Sequence, residues 1–157
     1  MVEMILPEQT QTQSYLSLSL AGERQVVLPL DQLLEVLTLP LHQIVPLPGM
    51  PAAVMGIINW RGEVLWLLDL GLLLAATPLD PISSGQPAYP VVILKVGEQR
   101  LGVVIEQVGQ IVHWDPAQLI PAPNQAFLQG YGLDAHGKRF DVLDISGFWR
   151  QLNPAAG

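Results

Sequence analysis

The sequence predicts an all-β protein with a few short helices, arranged as two small barrels packed together. Three observations carry this. Apolar runs of strand length recur with turn residues at intervals of roughly 8 to 12 residues, the mark of a barrel or sandwich. The 14 prolines and 14 glycines are spread over all 157 residues, which favours many short elements over long helices. Half of the residues are apolar and 13% are charged, enough to fill a core without staples.

Taken in order, residues 1–14 read as a flexible tail rich in Gln, Thr and Glu. Tyr15 to Leu20 alternates Ser with Leu, the pattern of a half-buried strand, and Gln25 to Leu30 returns after a turn at Ala21 to Arg24. Asp31 to Leu37 is ambiguous between strand and short helix. Prolines 40, 46, 48 and 51 punctuate the next stretch, with a short strand expected at Gln43 to Val45 and one helical turn at Pro51 to Met55. Leu70 to Ala75 reads as a short helix, and Thr77 to Ala88 as a linker. Tyr89 to Val96, Leu101 to Ile105 and Val108 to His113 read as strands. Asp115 before Pro116 reads as a helix cap with proline at the first helical position. Phe127 to Leu133 and Arg139 to Leu143 form a last hairpin, and 145–157 a closing helix and tail.

The most informative segment runs from Gly56 to Leu70. Two apolar runs flank one Asn59-Trp60-Arg61-Gly62-Glu63 turn. Val64 to Leu68 is apolar at every position, so both of its faces are expected to be covered. Arg61 then sits at the tip of a nearly all-apolar hairpin, where a cation needs a carboxylate or water.

Charge and composition exclude several functions. Seven Lys and Arg against 14 Asp and Glu give a net charge of −7, with no basic stripe for nucleic acid or an anionic membrane. Met1 to Glu8 lacks a basic start followed by an apolar run, so no signal peptide is expected. The apolar stretch Val64 to Ala76 is too short to span a bilayer and contains Asp69. Cysteine is absent, which suits a reducing compartment and leaves no thiolate metal site. His42, His113 and His136 lack ligand spacing, no serine sits in a nucleophile elbow and no glycine-rich loop matches a nucleotide fingerprint. No catalysis, metal or cofactor is expected. The apolar surplus points to surfaces that meet other proteins.

The ordered motifs resemble the CheW-like family of bacterial chemosensory coupling adaptors. The family segment Gly-x-x-Asn-[Leu/Trp]-Arg-Gly-x-[Val/Ile]-x-x-[Leu/Ile/Val]-x-Asp-Leu stands here as Gly56, Asn59, Trp60, Arg61, Gly62, Val64, Leu67, Asp69 and Leu70. Leu34-Glu35-Val36, Leu101 to Ile111, Ile120 to Pro123, Gly130 to Gly132 and Leu143 to Ile145 complete the set, over residues 15–152. The resemblance implies two intertwined five-stranded SH3-like barrels, divided at about 15–76 with part of the C-terminal segment, and 88–144. It implies a non-enzymatic cytoplasmic adaptor at receptor arrays, joining chemoreceptor cytoplasmic tips to the regulatory domain of a CheA-type histidine kinase in a two-component pathway. The apolar bias resembles divergent members serving pilus-based motility or light-directed movement.

Arg61 has two compatible expected roles, a receptor contact and a structural cation closing onto Glu35. Trp60 is either a packing lid or a contact. The resemblance places Val36 and Ile58 near a groove where a helical receptor hairpin would press. Asn59 and Gly62 are expected to form the turn. Two alternatives stay open: a scaffold that binds only a kinase or another adaptor, and a small β-barrel ligand-binding module.

Overall fold

The computed structural model describes residues 12–20, 24–75, 79, 85–122 and 127–147. β1 (Gln13–Ser19) and β2 (Gln25–Pro29) form the first hairpin. A 3-10 turn at Leu30–Gln32 leads into β3 (Leu33–Pro40), which resolves the ambiguous segment as turn plus strand. β4 (Val54–Trp60) and β5 (Glu63–Asp69) form the central hairpin, followed by α1 (Leu70–Ala75). Then come β6 (Ala88–Val96), β7 (Gln99–Val104), β8 (Gln107–Trp114), β9 (Ile120–Pro121), β10 (Leu128–Leu133) and β11 (Arg139–Leu143).

These strands make two sheets, one ordered β8-β1-β2-β11-β10-β9 and the other β3-β6-β7-β5-β4. The chain starts the first sheet, leaves it to build all of the second, and returns. The two subdomains are therefore intertwined, and the division does not follow the linker. β6 and β7 pair with β3 and β5, and only β8 goes back to β1. The first sheet carries a sixth, two-residue strand, β9, beyond the expected five. Neither ladder closes into a barrel. Opposite edges are instead joined by side chains, as described below.

Strand alternation sorts the apolar residues into three layers. Tyr15, Val27, Phe140 and Val142 fill the six-stranded subdomain. Leu39, Ile58, Leu65, Leu67, Tyr89, Val91, Ile93 and Val104 fill the five-stranded one. Between them, Leu16, Leu18, Val26 and Leu28 of one sheet meet Val92, Leu94, Leu101 and Val103 of the other. β1 therefore faces apolar neighbours on both sides, and Ser17 is buried along with its leucines. The Ser–Leu alternation had suggested one wet face.

Polar groups tie the layers together. Arg24 at the start of β2 donates to Asp141 Oδ2 at 3.0 and 3.2 Å and to the Leu74 carbonyl of α1 at 3.1 Å, while Arg139 holds Asp141 Oδ1 at 2.8 Å. The Asp141 carboxylate is nearly enclosed. This clasp joins β2, β11 and the helix that ends the five-stranded unit's central hairpin. Burial, reinforced by the Asp31 charge, pushes the Tyr15 phenol above its usual pKa of 10.0. In the last hairpin turn the Lys138 amide, with the His136 amide and both side-chain charges, holds the Asp134 carboxyl below its usual value, outweighing desolvation.

Two expectations change. Pro51 to Met55 makes one turn but no helix: Val54 N donates to the Pro51 carbonyl at 2.9 Å, and then Val54 pairs with Leu68 and the Ala53 carbonyl accepts from Asp69 N at 2.8 Å, so ladder partners end the turn. Gln43 to Val45 is no strand. A 3-10 turn at Leu41–Gln43 ends at one bridge between Val45 and Ile57. The cap at Asp115 forms as expected, accepting from Ala117 N, on a 3-10 turn. The tail before Thr12, most of the linker and the closing helix beyond Gly147 lie outside the described residues.

Candidate docking site at a side-chain seam

β4 and β5 are joined by a two-residue loop, Arg61 and Gly62, with φ of +52° and +80°. Two successive left-handed residues are the reversal that matches strand twist. Gly62 supplies that conformation freely, whereas Arg61 adopts it at a cost of about 1–2 kcal/mol. Asn59 Oδ1 accepts from Gly62 N at 3.1 Å and pins the turn. Asn59 and Gly62 shape the loop, and Arg61 occupies its other left-handed position.

β3 and β4 are the two outer strands of their sheet. Glu35 of β3 nevertheless accepts from both Trp60 and Arg61. Its Oε1 lies 3.1 Å from Trp60 Nε1 and 2.9 Å from the Arg61 guanidinium. Arg61 thus closes onto Glu35, with the indole as a second donor. The three side chains latch the open seam of the subdomain. The guanidinium also stands 5.1 Å from the Trp60 ring centroid, with that of Arg100 at 5.9 Å on the same ring. Arg100 in turn donates to both carboxylate oxygens of Glu63, at 3.0 and 3.1 Å. An indole gripped by two cations and anchored to a carboxylate is held in one pose.

The latch leaves chemistry on the surface. The Arg61 side chain is 70% exposed although it is paired. Leu34 and Val36, on either side of Glu35, are 43% and 40% exposed. Val36 pairs with Val92, whose side chain lies in the layer between the sheets, so Val36 extends that apolar face to the rim. Ile58 is 8% exposed and points into the five-stranded interior, so it supports the hairpin from beneath.

The remaining motif residues build the hairpin. Gly56, at a bulge, lets the Val45 carbonyl approach so closely that a Cβ would lie 2.2 Å from its oxygen. Asp69 caps α1 through Leu72 N at 3.1 Å and anchors Leu79 N at 2.9 Å.

A second seam was not foreseen. Trp114, at the end of outer strand β8, donates to the Leu133 carbonyl of β10 at 3.2 Å and packs 5.7 Å from Tyr15 and from Phe140. One tryptophan thus spans the opening of each subdomain. A Trp before Asp-Pro carries no local signal of this contact, which links strands distant in sequence. The Arg24–Asp141 clasp was missed for the same reason.

A shallow concavity lined by Thr12, Gln13, Ser14, Leu30, Asp31 and Pro116 lies apart from the latch. Among the described residues, no cluster of three His, Cys, Asp or Glu side chains could hold a metal, and no helix is long and apolar enough to cross a membrane.

Two latched β subdomains present an exposed guanidinium beside apolar rim residues. The chain belongs to the CheW-like domain family, matched over residues 14–152. It is 29% identical over 77 residues to a Rhizobium etli protein named "Probable chemotaxis protein CheW"; the alignment covers 49% of this chain and only 47% of that protein. Its fold is similar to that of the scaffolding protein TtCheW from Thermoanaerobacter tengcongensis, with a TM-score of 0.73 at 20% identity, over 85% of this chain and 89% of that one. The family is one of chemotaxis scaffolds and adaptors rather than enzymes.

Proposed function

We propose that this chain is a cytoplasmic coupling adaptor that joins the cytoplasmic tip of a chemoreceptor to the regulatory domain of a CheA-type histidine kinase. The observation that carries the reading is the latch. Glu35 holds Arg61 and Trp60 in place, yet the Arg61 side chain stays 70% exposed. An exposed pair of this kind contributes only about 0.2–1 kcal/mol, so stability alone is a weak reason for a strained arginine at a turn. A fixed, solvent-facing guanidinium beside Val36 suits recognition of a helical hairpin with one apolar face and acceptor groups at its edge. Trp60 is half-buried at the same seam, and Ile58 props the strand below.

Mixing the purified chain with a kinase regulatory domain and a receptor-tip fragment, separately and together, tests this. A ternary complex supports coupling. Binding to the kinase domain alone makes the chain a scaffold without a receptor. Binding to neither refutes the adaptor reading.

A further inference from the structure

The four outer strands of the two sheets are not equally protected. β9 has two residues, one of them Pro121. β4 is bridged by Val45 at Ile57, with paired bonds of 2.9 Å. β3 ends in Pro40 and is latched through Glu35. β8 is the exception apart from its last residue, where Trp114 reaches the Leu133 carbonyl. It runs eight residues, Gln-Val-Gly-Gln-Ile-Val-His-Trp, without Lys, Arg, Asp, Glu or Pro. Among the described residues its only strand partner is β1. A bulge opposite Leu16–Leu18 twists it, but Gln107, Gly109, Gln110, Ile111 and His113 are exposed. Ile111 pairs with Leu16 and so lies on the apolar inter-sheet face, yet it is 52% exposed. Outer strands are ordinarily blunted by charge, proline or brevity because their free amides and carbonyls recruit another strand.

Charge decides what covers it. Glu106 precedes the strand and Asp115 follows it. Asp31 lines the concavity beside Ser14 and Pro116 at the Asp115 end. Two copies pairing antiparallel through β8 would set Glu106 of each against the acid at the far end of the other, at a net charge of −7 apiece. An uncharged strand with a basic residue at each end, roughly 30 Å apart in extended chain, meets no such repulsion. We infer that β8 is a second docking edge, distinct from the Arg61 latch, that takes up an extended segment of another protein, apolar opposite Ile111 and basic at both ends.

The test uses the full chain, isotope-labelled, and two synthetic peptides. One is Lys-Thr-Val-Thr-Ile-Thr-Val-Thr-Val-Lys, whose end residues lie about 30 Å apart when extended, and the other has Glu in place of each Lys. NMR titration at low salt should shift and protect the amides from Gln107 to Trp114 with the Lys-ended peptide, and the Glu-ended peptide should bind about tenfold more weakly or worse. Ile111→Lys, at an exposed position, should keep the fold by its amide spectrum and lose the response. The inference is overturned if the Lys-ended peptide leaves β8 unmoved, if both peptides bind alike, or if Ile111→Lys still responds. Concentration-dependent shifts in β8 without peptide would also overturn it, in favour of a second copy. None of these outcomes involves the Arg61 surface, so the adaptor reading stands or falls separately.

Discussion

Replacing Glu35 with Ala separates the two bonds of the latch. The Trp60 Nε1–Glu35 bond, at 3.1 Å and partly buried, is a hydrogen bond to a charged group, a class whose net contribution is about 1.5–3 kcal/mol. The Arg61–Glu35 pair, with Arg61 70% exposed, belongs to a class that contributes about 0.2–1 kcal/mol. Glu35→Ala should therefore cost about 2 kcal/mol and Arg61→Ala less than about 1 kcal/mol. For a domain of this size each kcal/mol lowers Tm by about 2–4 °C, so the expected drops are about 4–8 °C and under about 4 °C. Trp60→Phe keeps the ring but removes the donor, and should reproduce most of the Glu35→Ala loss. Because both changes break one bond, the double variant should cost clearly less than the sum. Thermal melts followed by circular dichroism give all four values. Equal losses for Glu35→Ala and Arg61→Ala, or strict additivity of Glu35→Ala with Trp60→Phe, would refute the claim that the indole bond closes the seam.

Asp69→Ala should uncap α1 and leave Leu79 N without its acceptor, lowering stability by about 2–3 kcal/mol, read as a lower urea midpoint at unchanged m. Arg24→Met should cost about 3 kcal/mol in urea melts by leaving the enclosed Asp141 carboxylate to Arg139 alone, and adding Asp141→Asn should recover part of the loss. Alkaline pH should also destabilise the chain. The Tyr15 phenol loses its proton less readily in the fold than in the unfolded chain, so its contribution is complete below about pH 10 and disappears as pH rises through the raised folded value. Tyr15→Phe should flatten that decline in melts taken between neutral pH and pH 11.

The strands were legible wherever local pattern and final partners agree. β6, β7, β10 and β11 were expected within a residue or two because their turns carry glycine and their runs are apolar or β-branched. α1 was expected over its full span, and the structure adds the Asp69 cap that starts it. Pro51 to Met55 misled because its conformation is set by bonds to Leu68 and Asp69, beyond any local window. At the site, a carboxylate partner for Arg61 was legible because a cation on an apolar hairpin needs one or water, and the turn roles of Asn59 and Gly62 were legible in their side-chain chemistry. The indole's bond to Glu35, the Trp114 seam and the Arg24–Asp141 clasp were not readable. Each joins residues far apart in sequence that meet only once their own sheet is assembled.

The most direct test of the docking claim is titration calorimetry of a chemoreceptor cytoplasmic-tip fragment into wild-type and Arg61→Ala protein, with melting temperatures taken on the same samples. The account predicts a Tm within about 4 °C of wild type and affinity reduced about tenfold or more, a loss of at least about 1.4 kcal/mol. Unchanged affinity in a folded Arg61→Ala protein would contradict it.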